Sequence, residues 1–129
     1  MKTPGKKLIY VAGPVRAASP DLVERNIDKA AATAIQIWQS GNFALCPHYN
    51  NEYVNHLSPA AKEQKEMVSV EVLMQGCLKM VRRCDAIFMS DGWEKSQGAL
   101  LEKQEAEKNA LPVFTDLEEL KLWANGTTR

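Results

Sequence analysis

Cys84-Asp85-Ala86-Ile87-Phe88-Met89-Ser90-Asp91-Gly92-Trp93-Glu94-Lys95-Ser96-Gln97-Gly98-Ala99-Leu100-Leu101-Glu102 carries the decisive pattern of this chain. Ala86 to Met89 form an apolar run of the length of a buried strand. Turn-forming and small residues follow, then a helical sequence whose first turns carry a carboxylate, Glu102. In an open α/β sheet, ligands bind in the crevice beyond the carboxyl ends of the strands. A Ser/Gly loop that runs into a helix N-terminus offers amide donors to a phosphate there. Glu102, one turn into that helix, would look at whatever the phosphate anchors.

The same alternation extends in both directions. Lys7-Leu8-Ile9-Tyr10-Val11-Ala12 is a β-prone run closed by Gly13-Pro14. Ser19-Pro20 supplies an N-cap and a proline at the first helical position. Val23, Ile27, Ala30, Ala31, Ala34, Ile35 and Trp38 then recur at helical spacing until Gly41. Phe43-Ala44-Leu45-Cys46 reads as a second strand. Residues 47–57, with His48, Tyr49, Tyr53 and His56, form a polar and aromatic loop, of a length that is often functional.

Ser58-Pro59 opens a helix expected to run to about Arg83. Its stripe of Met67, Val70, Met74, Cys77, Leu78 and Val81 faces the sheet, while Val68, Val72 and Leu73 make a second apolar face. A helix apolar on two sides is often buried between subunits, so a homodimer or higher homo-oligomer is expected. Residues 84–89 are the third strand, and Leu111-Pro112-Val113-Phe114 the fourth. Asp116 caps a last helix through Trp123. Alternating strands and helices imply an α/β fold: a parallel sheet of four or five strands, helices on both faces, and right-handed crossovers.

At 129 residues the chain is read as one domain, residues 1–129, with no room for a second core. Its 16 basic and 16 acidic residues cancel, which leaves no global field to attract a nucleic acid polymer or an acidic membrane. Lys2, Lys6 and Lys7 are read as a solvated leader. No apolar stretch approaches the roughly 20 residues of a membrane span, and no secretory leader is visible. Cys46, Cys77 and Cys84 are odd in number and lie in apolar segments. They read as reduced thiols of a cytoplasmic protein.

Several common chemistries lack their motifs. Gly13-Pro14 is neither a GxGxxG fingerprint nor a P-loop, and no GxSxG elbow occurs. His48 and His56 have no clustered cysteine or carboxylate at metal spacing, so neither a metal nor a cofactor is expected. Most helical glutamates simply face water. Glu102 differs by context: Ala99, Leu101 and Ala106 suggest a helix packed closely on the sheet, with Glu102 near its N-terminal end. There the macrodipole favours the ionised form by roughly 0.3–1 kcal/mol. An ionised carboxylate serves as a nucleophile or stabilises a developing cation. Asp91 offers a second carboxylate at the end of strand three, or else simply builds an Asp-Gly turn.

Ile9-Tyr10-Val11-Ala12-Gly13-Pro14, Arg82-Arg83-Cys84-Asp85-Ala86-Ile87, and above all Gly92 to Ala99 with Glu102 and Ala106 resemble the nucleoside 2-deoxyribosyltransferase-like superfamily. The match is to its small phage and bacterial members; more distantly, the pattern is similar to the 2'-deoxynucleoside 5'-phosphate N-hydrolases. It covers residues from about 7 to 114. The resemblance implies a flavodoxin-like or Rossmann-like sandwich that assembles into oligomers and cleaves the N-glycosidic bond of a (deoxy)nucleoside or its 5'-monophosphate. Glu102 falls on the catalytic glutamate that attacks C1', and Tyr10 on the tyrosine that positions it. Ser96 and Gly98 match the loop that binds the 5'-phosphate in the monophosphate hydrolases. Gly13 and Arg16, near the end of strand one, and His48 in the polar loop are the other substrate-binding candidates.

Glycosidic cleavage develops oxocarbenium character, which suits a carboxylate beneath C1'. The departing base then needs an acid. Eight residues before Asp85 the family usually has an aspartate that contacts the base; this chain has Cys77. Asp91 or the 47–56 loop would then handle the base. A rival expectation is a catalytically silent protein that binds or senses a nucleotide through the same pocket. A third is a structural subunit that uses Val68, Val72 and Leu73 for assembly only.

Overall fold

A computed structural model describes residues 6–14, 19–46, 59–60, 63 and 68–126. Four strands, β1 (Leu8–Ala12), β2 (Phe43–Leu45), β3 (Ala86–Met89) and β4 (Val113–Phe114), form one sheet in the order β2-β1-β3-β4. Every neighbouring pair is parallel, with Tyr10 opposite both Leu45 and Ile87, and Ile87 opposite Val113. Parallel neighbours need crossover connections. The helices α1 (Pro20–Gln39), α2 (Val70–Arg83), α3 (Gln97–Lys108) and α4 (Leu117–Ala124) alternate with the strands accordingly. A single 3₁₀ turn, Trp93–Lys95, leads into α3. This is the α/β, flavodoxin/Rossmann-like architecture that the sequence pattern implies.

Period-two alternation along the strands makes two cores. Ile9, Val11, Ala86 and Phe88 pack with Ala30, Ala34 and Ile37 of α1 and Leu120 of α4. Tyr10, Ala12, Ile87 and Met89 face the other way, toward Val81 of α2 and Ala99 and Ala106 of α3. A sheet covered on both faces has apolar residues on both, which is why its strands read as continuous apolar runs. The helix starts are capped as their sequences suggest. Ser19 Oγ accepts from the Leu22 amide at 3.3 Å, and Asp116 Oδ1 accepts from Glu118 and Glu119 at 2.8 and 3.1 Å.

Three details differ from the sequence reading. The helix expected from Ser58 to Arg83 is interrupted at residues 68–69, although residues 59, 60 and 63 are helical. Ser69 is extended there, and its hydroxyl accepts from the Val72 amide at 3.1 Å, which starts α2 afresh. Met67, in the expected stripe, lies outside the described residues. In α1 the buried stripe is Ile27, Ala30, Ala34 and Ile37, whereas Ile35 and Trp38 are exposed. The small side chains of Ala30 and Ala34 let that face approach the sheet closely, and Trp38 instead packs on Phe43, with ring centroids 5.5 Å apart. In α3, Leu101 is exposed and the buried positions are Ala99, Glu102 and Ala106.

Val68, Val72 and Leu73 are exposed, as their spacing indicates. Among the described residues no helix is long and apolar enough to cross a membrane.

Asn42 is a tie that its sequence does not announce. It is 2 % exposed, its Oδ1 accepts from the Lys7 amide at 3.0 Å, and its Nδ2 donates to Ser40 Oγ at 3.0 Å and Asn125 Oδ1 at 3.1 Å. One side chain thus joins the start of β1, the end of α1 and the end of α4. Asn42→Ala strips partners from buried polar groups, and urea denaturation should show a loss of about 2 kcal/mol with the helical signal of the folded state retained.

Candidate functional site

The chain leaves β1 toward one sheet edge and β3 toward the other, so the strand order reverses between them. The crevice beyond their carboxyl ends is the position where such sheets bind ligands. Gly13-Pro14 and Ser90-Asp91-Gly92 directly follow β1 and β3 at that end of the sheet. The Ser90 amide donates to the Ala12 carbonyl at 2.7 Å. A Cβ on Gly13 would lie 2.9 Å from Ser90 Cβ, so close packing of the two strand ends demands glycine there. Gly92 has φ +87°, and the Trp93 amide donates to the Ser90 carbonyl at 3.1 Å. Asp91 is exposed within this turn. Ser90 Oγ is buried with no partner among the described residues. Alternation along β3 puts it on the face opposite Glu102.

Glu102 itself is 7 % exposed. The small Ala99 and Ala106, three residues before it and four after it, bring α3 down onto the sheet. That approach carries the carboxylate to Tyr10, a β1 residue that is 1 % exposed. The Tyr10 hydroxyl donates to Glu102 Oε2. The Cys77 thiol of α2 interacts with the same hydroxyl. Sequence reasoning set Cys77 on the sheet-facing stripe of its helix, at the position where an aspartate was expected. Its place beside Tyr10 depends on three elements meeting, which no local signal encodes.

Burial pushes the Glu102 carboxyl up from its ordinary 4.5 to about 7, partly opposed by the bond from Tyr10. That shift corresponds to about 3 kcal/mol, several times the helix-dipole stabilisation of roughly 0.3–1 kcal/mol. Desolvation therefore outweighs the dipole, which by itself favours the ionised form. Burial, and then the Glu102 charge, raises Tyr10, so the phenol stays a neutral donor. Burial likewise raises the Cys77 thiol, opposed in part by the nearby Tyr10 hydroxyl.

Ser96 and Gly98 lie at the start of α3, as their sequence implies. Ser96 Oγ caps the helix, accepting from the Ala99 amide at 3.2 Å. Among the described residues the Gln97 and Gly98 amides have no acceptor, the usual state of a first helical turn. A Cβ on Gly98 would lie 3.3 Å from Met74 Cε, which marks how closely α2 overhangs this helix end. Arg16 and His48 fall outside the described residues. No group of three or more His, Cys, Asp or Glu side chains suited to a metal occurs among the described residues.

A family model described as a domain of unknown function, DUF4406, matches residues 7–115. No curated protein gives a significant match.

The burial of Glu102 fixes a pH window for stability. A carboxyl raised in the folded state stabilises the fold fully below its unfolded value, and that contribution is lost as pH rises through its folded value. Stability should fall from about pH 4.5 to about pH 7, by about 3 kcal/mol at most. Glu102→Gln keeps an acceptor for Tyr10 without the charge. Urea melts should find it close to wild type at pH 5 and more stable than wild type at pH 8. A difference that does not change with pH would contradict the buried-carboxylate argument.

Proposed function

The chain belongs to the DUF4406 family, and from the geometry around Glu102 we propose that it is an N-glycosidase. Its substrate is a (deoxy)nucleoside or the 5'-monophosphate, and Glu102 is the nucleophile. The observation that carries this reading is the buried Glu102–Tyr10 pair beside the start of α3. A carboxylate oxygen attacks C1' as the C1'–N bond breaks, and the bonding pair leaves with the base. The oxocarbenium-like transition state is stabilised by the carboxylate charge. Water then hydrolyses the glycosyl ester and regenerates Glu102; a second base in place of water makes the reaction a transfer.

Each neighbour has a part in this reading. Tyr10 fixes the carboxylate by donating to Oε2, which leaves Oε1 for the anomeric carbon. The open amides of Gln97 and Gly98, at the positive end of α3, favour a 5'-phosphate. The unusually high Glu102 value places its working, ionised form on the alkaline side. A carboxylate poised near neutrality in a buried site is a functional candidate on general grounds.

One observation favours a second reading, a catalytically silent protein that binds or senses a nucleotide. Cys77 supplies a neutral thiol beside Tyr10 where a base-contacting carboxylate would be expected. Such a protein would bind the intact nucleotide through the same α3 start.

Base release from a panel of nucleosides and 5'-monophosphates, followed chromatographically, tests both. Glu102→Ala should lower kcat/KM by roughly 10³-fold or more. The wild-type rate should rise with pH up to about 7 as Glu102 ionises. Full activity in Glu102→Ala would end the nucleophile assignment. Binding of an intact nucleotide without turnover would select the second reading.

A further inference from the structure

The flank of α2 turned away from α3 carries apolar surface that the fold leaves in water. Met74, which overhangs Gly98, and Arg82, bonded to Glu105 at 3.0 Å, mark the side of α2 that meets α3. At about 3.6 residues per turn, Leu73, Gly76 and Met80 fall on the opposite side, with Val72 next to them toward solvent. Leu73, Met80, Val72 and the neighbouring Val68 are all exposed. Large apolar side chains gathered on one surface mark an interaction site.

Gly76 stands in the middle of this stripe. A glycine inside a helix weakens it relative to alanine. Nothing within the described chain asks for one here: its φ is not positive, and a Cβ would meet no atom within 4 Å. Val72, Gly76 and Met80 are four residues apart, a row along which packed helices interdigitate. Bare backbone at the centre of that row lets a second helix come close.

The charges single out which helix that is. Glu71 lies in the first turn of α2, while Lys79, Arg82 and Arg83 lie toward its end. Arg82 is bonded to Glu105. Glu71, Lys79 and Arg83 are exposed and have no ion-pair partner among the described residues. A surface acidic at one end and basic at the other matches its own copy laid antiparallel. The zero net charge of the chain adds no overall repulsion between copies.

We propose that α2 pairs antiparallel with α2 of a second copy of this chain, across a two-fold axis at Gly76. One patch then serves both subunits, as an isologous interface requires. Residues equally far before and after Gly76 face one another, so Val72 meets the partner's Met80 and Leu73 packs along the same seam. Glu71, five residues before Gly76, falls between the partner's Lys79 and Arg83, three and seven residues after it. Every such contact occurs twice. The pairing is independent of the glycosidase reading.

Light scattering during size exclusion, over a dilution series, measures the assembly. The wild type should show twice the 14.4 kDa chain mass. Gly76→Leu has room in the single chain and a better helix former, so it should fold yet raise the dimer Kd at least tenfold. Glu71→Lys places like charges together twice and should raise Kd by about tenfold. Adding Lys79→Glu and Arg83→Glu to it should restore the dimer, which a general loss of folding would not allow. Far-UV circular dichroism checks that each variant is folded. A wild type that stays monomeric at its highest soluble concentration overturns the proposal. So does a dimer that Gly76→Leu leaves intact, or one that the reversed charges fail to restore. If Gly76→Leu does not fold, the charge variants still decide, because they alter exposed side chains only.

Discussion

A carboxylate buried against a sheet is an expensive thing to keep, and the Tyr10–Glu102 hydrogen bond is what makes it tolerable here. Ionised carboxylates resist transfer from water, and a site that holds one must supply donors or let the group take up a proton. This chain does some of each. Tyr10 donates from the centre of β1, and desolvation still raises Glu102 to about 7. The surrounding fold is arranged around that contact. Ala99 and Ala106 are small enough to seat α3 closely, and β1 lies inside the sheet between β2 and β3.

The location of this pair follows from topology. Strands one and three diverge toward opposite edges, so the loops after them separate and leave a crevice. The loop after β3 tightens through Gly92 and the 3₁₀ turn before α3 begins, which aims the first turn of α3 at that crevice. A buried acid on the sheet side of the same helix is then about one turn from the open amides at its start. In the proposed function, anchoring of an anion and reaction at a neighbouring atom are available to one ligand.

Much of the architecture was legible in the residues. The apolar runs 8–12, 43–45, 86–89 and 113–114 mark the strands, and the serines and aspartate at 19, 96 and 116 mark three helix starts. Glu102 stood out because a carboxylate followed a strand and a small-residue loop. What the sequence hid was mostly non-local. The α1 stripe was read with Ile27, Ala30 and Ala34 in place but extended to Ile35 and Trp38, which are exposed, and without Ile37, which is buried. Ser69 went unnoticed as a helix start because the apolar period continues across it. The protonation of Glu102 could not be read from its helix position, since burial by β1 and α2 outweighs the local dipole. The partnership of Cys77 with Tyr10 required residues 67 positions apart to meet.

Asn42 has one more implication. Its amide grips Lys7 near the start of the described chain and Asn125 near its finish, so these two points lie side by side. They also lie at the amino ends of the strands, on the far rim of the sheet from Gly13 and Ser90. Cargo attached through either point would project away from the carboxyl ends of the strands. The polypeptide could also be spliced there and reopened at a surface turn, which would give a circularly permuted molecule with every layer in place.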